Sequence, residues 1–246
     1  MRIQRIESRK NEYIKHLRRL QKSSSYRKEC GEFLCDGAKL LEDALQAGAV
    51  ITSVLWREES NGTPAGCREY AASSELFQYV SPLENSPGPL FTVAIPGNEV
   101  RPVSSAIVLE NVQDPGNVGT VIRTAAAFGI EAVVLCGDCA DVYNPKTVRS
   151  TMGAIFRQYI YFCEKPDDFA RRNNLTLYGA ALGDRSADLR TADLHRAAVC
   201  IGNEGHGLSE EMLSLCRERL IIPMRPEAES LNAAVAASIV MWEMVR

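Results

Sequence analysis

Three stretches of this 246-residue chain concentrate residues whose types and spacing could do chemistry. In the first, LENVQDPGNVGTVIRTAAAFGI (109–130), an apolar run stops at a loop holding Asn111, Asp114, Pro115, Gly116, Asn117 and Gly119. A helical pattern follows. Asn117 is placed to cap a helix over 118–128, which Gly129 closes. Val118, Val121, Ile122 and Ala125 recur at i, i+3, i+4 and i+7 and form its buried stripe. Arg123, roughly 140° from Val118 around a 3.6-residue turn, leaves the core beside Thr120 and Thr124. A guanidinium one turn from a helix start can hold a phosphate or carboxylate; the competing reading is a surface arginine on a well-capped helix. The Gly116–Gly119 spacing matches neither the dinucleotide fingerprint nor the phosphate-cradling loop that ends in Gly-Lys-Ser/Thr, which argues against a nicotinamide dehydrogenase.

The second stretch is VCIGNEGHGLSEEM (199–212). A strand ends at Ile201, and Gly202, Asn203, Glu204, Gly205 and Gly207 form a loop. Ser209 is the expected cap of the next helix, with Glu210 and Glu211 in its first turn. Three glycines in six residues permit unusual dihedrals and close backbone approach to a ligand, and Glu204 is a short reach from any arginine that folding brings there. The third stretch is LIIPMRPEAESLNAAVAASIVMWEM (220–244). A strand ends at Ile222-Pro223, and Ser230 begins a helix that is apolar nearly all round until Glu243. Such a helix must be buried on most sides, and a second subunit is a natural cover. Ser230 and Asn232 are its polar exceptions.

Cys136 and Cys139 form one C-x-x-C, but His16, His195 and His206 are scattered without ligand spacing, so no metal is expected. The eight cysteines, with no signal peptide at the N-terminus, read as reduced thiols.

These loops need elements to hold them. From about Pro102 onward, apolar runs at 106–109, 132–136, 159–163, 175–182, 197–201 and 220–222 alternate with helical or polar stretches, which predicts a parallel α/β sheet covered on both faces. Ligands in such sheets bind beyond the carboxyl ends of the strands. Upstream, FLCDG reads as a strand, Ala38 to Ala47 as a helix with Gly48 at its C′ position, and VITSVLW as a strand. Five prolines and two glycines between Ser81 and Pro102 mark the expected linker, dividing a domain over 1–97 from one over 102–246.

With 46% hydrophobic and 24% charged residues the composition is that of an ordinary globular protein, and no apolar stretch approaches the roughly 20 residues of a membrane span. The cytoplasm is the expected location. The net charge of −3 is uneven. Residues 1–30 carry ten lysines and arginines against three acids, +7 in all, which leaves −10 for the rest. A basic arm on an acidic body suits a polyanion; a solvated helix face is the alternative.

Together the three stretches resemble the SpoU/TrmH family of RNA ribose 2′-O-methyltransferases, within the SPOUT superfamily. The first motif is carried by Asn111, Asp114, Pro115, Asn117, Gly119 and Arg123. Gly202-Asn203-Glu204-Gly205 with Gly207-Leu208 carries the second, and Ile222-Pro223-Met224 followed by Ser230-Leu231-Asn232 the third. NPKTVRSTMGAIFR (144–157) is similar to the family's intervening helix, and YRKECGEFLCDGAKLLEDAL to its small N-terminal α/β RNA-binding domain. Asp36 stands where a glutamate is commoner, and Ala233-Ala234 where Val-Ser is commoner. The resemblance implies a deep trefoil knot in the C-terminal domain, a homodimer formed through it, and S-adenosyl-L-methionine held against Leu182, Gly202, Ile222, Met224 and Leu231. It implies methyl transfer to a ribose 2′-hydroxyl of RNA, ribosomal before transfer RNA. Asn117 and Arg123 would hold the ribose-phosphate, Glu204 would orient Arg123, and Ser230 and Asn232 would complete the floor. The alternatives are an RNA-binding protein that has lost methylation, a transfer-RNA 2′-O-methyltransferase, and a superfamily enzyme that modifies a base.

Overall fold

The structure, a computed structural model, describes residues 3–59, 66–183, 186–225, 227 and 230–246. Arg2 of the basic arm and residues 226, 228 and 229 of the third stretch lie outside the described residues. The chain forms two compact units. The first comprises 1–97 with Asp141–Phe156, and the second 98–140 with 157–246.

In the first unit the elements are β1 (Gln4–Ile6), α1 (Glu12–Lys22), α2 (Ser24–Cys30), β2 (Glu32–Asp36), α3 (Ala38–Gln46), β3 (Ile51–Arg57), β4 (Arg68–Ala72), α4 (Ser74–Val80) and β5 (Leu90–Ala94). They build a mixed sheet in the order β1-β4-β3-β5-β2. Helix α1 is amphipathic: Tyr13, Ile14, Leu17 and Leu20 are buried, and Asn11 caps it by accepting the Tyr13 amide at 2.9 Å. The stretch read as a linker contains β5, which pairs antiparallel with both β2 and β3. Its prolines flank a short LFTVA run that is buried over Leu90–Val93. Arg27, counted in the basic arm, is buried instead. It donates from Nε to Asp141 Oδ2 at 2.9 Å and bonds the Leu20 carbonyl.

The second unit holds β6 (Ala106–Glu110), α5 (Pro115–Phe128) and β7 (Ala132–Cys136). After α6 (Pro145–Ser150), which belongs to the first unit, come β8 (Tyr159–Cys163), α7 (Asp167–Asn173), β9 (Thr176–Ala180), β10 (Ala187–Asp188), β11 (Ala197–Ile201), α8 (Glu210–Leu215), β12 (Glu218–Ile221) and α9 (Ala233–Val245). Its seven strands run in the order β10-β12-β9-β11-β6-β7-β8, and every pairing is parallel. β6, β7 and β11 are buried at every residue, as strands covered on both faces must be. Their even-numbered side chains pack with Phe169 and Ala170 of α7 and Met212 of α8. Helix α9 packs along α5 and against β11.

From β6 the chain moves through β7 to β8 on one side, then returns to fill the other side of β6 with β11, β9 and β12. The β6–β11 boundary is therefore the topological switch point, where a crevice opens between the strand ends. Among the described residues, no helix is long and apolar enough to cross a membrane.

Candidate active site

Two of the three motif loops leave the sheet at that switch point. The buried stripe of α5 is as expected, with Val118, Val121, Ile122 and Ala125 inaccessible to solvent and Arg123 exposed. Gly129 closes the helix in the left-handed conformation at φ 73°. The cap differs. Asp114 is the N-cap and accepts the Asn117 amide at 2.9 Å, with Pro115 opening the helix. Asn117 therefore sits in the first turn with its side chain released from capping.

That side chain makes long-range bonds. Asn117 Nδ2 donates to Glu204 Oε1 at 2.7 Å, and Asn117 Oδ1 accepts from Asn232 Nδ2 at 3.1 Å. Asn232, and not Ser230, caps α9; its Oδ1 accepts the amides of Ala234 and Val235. Those backbone donors fix the Asn232 amide, which in turn fixes that of Asn117. A continuous chain of polar contacts results, from the α9 N-terminus through Asn232 and Asn117 to Glu204. The expected Glu204–Arg123 pair does not form: Glu204 takes Asn117, and Arg123 makes no hydrogen bond or ion pair among the described residues.

The 202–208 loop is closed by two backbone bonds between Asn203 and Gly207, at 3.0 and 2.9 Å. Asn203 also accepts the Gly205 amide on Oδ1 at 2.8 Å and donates to the Asn111 carbonyl at 2.9 Å. Two of the glycines have separate causes. A Cβ on Gly202 would overlap the Gly207 carbonyl and the Leu208 amide, so the loop crosses itself there without room for a methyl group. Gly207 adopts φ +69°, which L side chains disfavour. Beside this loop lies a cavity of about 460 Å³, lined by Leu182, Gly202, Glu204, Ile222, Met224, Ser230 and Leu231 among others. Every residue expected to hold the methyl donor thus lines one cavity. Asn117, Thr120 and Asn232 instead line a second, mostly apolar recess of about 410 Å³ with Val235, Ile239 and Trp242.

The cavity fits S-adenosyl-L-methionine. Its volume lies within the roughly 300–1,000 Å³ of cofactor sites, and its walls combine the apolar side chains of Leu182, Ile222, Met224 and Leu231 with the 202–208 loop and the charged side chains of Glu204, Glu210 and Arg219. Among the described residues no group of three or more His, Cys, Asp or Glu side chains is arranged for a metal ion. Cys136 ends β7 with its Sγ 3.4 Å from that of Cys163, and that contact and burial push the Cys136 thiol well up. One residue that motif reading did not single out also serves the site. Glu110 anchors the glycine loop beside the motif residue Asn203; a lone acid ending the buried run AIVLE was the available signal for it.

Comparison with known proteins agrees with this geometry. The family model described as SpoU rRNA Methylase family matches residues 104–242, and an MRM3-like substrate binding domain matches 11–89. The chain is 31% identical to the 23S rRNA (guanosine(2553)-2′-O)-methyltransferase RlmP of Bacillus subtilis, over 98% of this chain and 99% of that protein. Among solved structures it resembles the AdoMet-bound rRNA methyltransferase from Sinorhizobium meliloti, with a TM-score of 0.87, 26% identity, and coverage of 98% and 97%. It also resembles the SpoU methyltransferase AviRb from Streptomyces viridochromogenes in complex with AdoMet, at a TM-score of 0.86, 27% identity, and coverage of 96% and 97%.

Proposed function

The chain belongs to the SpoU rRNA methylase family, and we propose that it transfers a methyl group from S-adenosyl-L-methionine to a ribose 2′-hydroxyl of ribosomal RNA. One observation carries the reading. Glu204 and Asn232, which lie 87 and 115 residues beyond Asn117 along the chain, meet it in one hydrogen-bonded row, and Glu204 also lines the donor cavity.

Bound in that cavity, S-adenosyl-L-methionine supplies a methyl on a sulfonium whose departure as a neutral thioether is already easy. The work left to the protein is to position the attacking oxygen and manage its proton. Leu182, Ile222, Met224 and Leu231 would grip the donor, with backbone groups of the 202–207 loop at its polar edge. The Asn117–Asn232 row is held from both ends, so it would present a fixed floor to the ribose, completed by Ser230. Arg123, exposed and with its guanidinium uncommitted among the described residues, would hold the ribose-phosphate. A guanidinium keeps its proton at neutral pH, so its role is charge stabilisation and placement.

The N-terminal domain, expected over 1–97, would read the RNA, and the catalytic domain, expected over 102–246, would carry the chemistry; the trefoil knot belongs to this reading. A homodimer through the C-terminal domain is part of it too. Val235, Trp242 and Val245 of α9 are 47%, 53% and 46% exposed, and Trp242 borders the apolar recess beside Asn117. A second copy covering that face would bury them. The cytoplasm is the compartment this reading assigns.

The test is methyl transfer from labelled S-adenosyl-L-methionine to unmodified ribosomal and transfer RNA, with Arg123→Ala in parallel. Label should enter ribose of the ribosomal pool and fall at least about a hundredfold in the variant, the order of loss when a transition-state charge contact is removed. Donor binding with label in neither pool would overturn the reading.

A further inference from the structure

We propose that Glu110 is a positioning residue for the methyl donor, acting through Ser209 on the 202–208 loop; this rests on the reading of that loop as the donor site. Glu110 ends β6 and is buried, in register with Cys136 of β7. A carboxylate taken out of water needs its oxygens bonded. Here both go to one residue: Oε2 accepts the Ser209 amide at 2.8 Å and Oε1 the Ser209 hydroxyl at 2.6 Å. The same hydroxyl oxygen accepts the Met212 amide at 3.0 Å and so caps α8.

The next residue completes the device. The Asn111 carbonyl accepts Asn203 Nδ2 at 2.9 Å. The two ends of the donor loop, Asn203 and Ser209, are thus pinned to two consecutive residues, and Leu208 between them is buried. Those two residues also lead into Asp114 and Asn117. Glu110 and Asn111 therefore set one loop's position relative to the other, and with it the 2.7 Å contact between Asn117 and Glu204. Glu110 does not line the cavity. Its effect on the donor passes through the loop it holds.

The test uses the full chain with Glu110→Gln, Glu110→Ala, Ser209→Ala and the double variant Glu110→Gln/Ser209→Ala. Donor affinity is read by calorimetry without RNA, alongside KM for each substrate, kcat and thermal midpoint. Glutamine keeps the shape but turns an amide N–H₂ toward one of the Ser209 donors. Affinity for S-adenosyl-L-methionine should fall about tenfold to a hundredfold, the worth of a charge-assisted hydrogen bond. KM for the donor should rise in step, while KM for RNA and kcat at saturating donor stay within about twofold. Ser209→Ala should give a smaller loss of the same kind, because it removes the hydroxyl bond and leaves the residue 209 amide on Oε2, and the double variant should fall short of the sum of the two single losses. A Glu110→Gln protein of lowered thermal midpoint and wild-type donor affinity overturns the proposal, as does a double variant whose losses add. Glu110→Gln and Ser209→Ala carry the test if Glu110→Ala fails to fold. Failure of the activity reading appears differently, as wild-type protein that binds donor without methylating RNA; wild-type protein that does not bind the donor overturns both.

Discussion

The glycines of the donor loop provide a graded experiment in which one position should fail for lack of space. A methyl group added at Gly202 meets backbone of Gly207 and Leu208, not the tip of a flexible side chain, so the loop itself must open. Opening it breaks the two Asn203–Gly207 bonds of 3.0 and 2.9 Å. At about 0.5–1.5 kcal/mol net each, that is roughly 1–3 kcal/mol withdrawn from the closed loop. Donor affinity in Gly202→Ala should fall about five- to hundredfold, since every 1.4 kcal/mol is tenfold. Gly205→Ala is the control: its nearest neighbour is Asn203 Oδ1 at 3.6 Å and its φ is ordinary, so affinity should stay within about twofold. Gly207→Ala falls between, because open space surrounds it but φ +69° costs an L residue about 1–2 kcal/mol. Calorimetric titration with S-adenosyl-L-methionine gives all three values, and far-ultraviolet dichroism checks the fold. A Gly202→Ala protein that is folded and binds as tightly as Gly205→Ala would refute the crossing of the loop on itself.

Three further outcomes follow from the same contacts. Arg27→Ala takes the guanidinium from Asp141, which keeps the Tyr143 amide, and removes a bond to the Leu20 carbonyl, so unfolding stability should drop by about 3 kcal/mol, with Arg27→Lys recovering only part; an unshifted urea midpoint would contradict this. Trp242→Glu puts a charge on the exposed α9 face without touching a buried position; on the proposed homodimer, the wild type should sediment as a dimer and the variant as a monomer. The hydrogen bond from His16, opposed by burial, holds the Glu32 carboxyl below its usual range. Its contribution is present above the ordinary carboxylate value and is lost as pH falls through the lowered native one. The stability gap between wild type and Glu32→Gln should therefore close on acidification, and a gap that widens in acid would reverse the sign.

What could be read from the chain, and what could not, divides by the range of the interaction. Runs such as AVVLC and AAVCI are apolar at every position, and only a strand covered on both faces has use for that, so the parallel core was legible. The α5 stripe was legible for the same local reason. Competition between neighbouring caps was harder. Asp114 and Asn117 are both good capping residues, and the decision lies in Pro115, whose missing amide suits the first helical position and so assigns the cap to the residue before it. The packing of 141–156 into the first unit was not legible, because nothing in the spacing of NPKTVRSTMGAIFR says which core it joins. The site misled in one respect. Opposite charges favoured a Glu204–Arg123 pair, yet Arg123 lies six residues beyond Asn117, about 9 Å further along the helix axis. Asn117, in the first turn, reaches the carboxylate instead. Because that amide occupies Glu204, the guanidinium is left without an intramolecular partner among the described residues, which is the condition an arginine needs to meet a phosphate from outside.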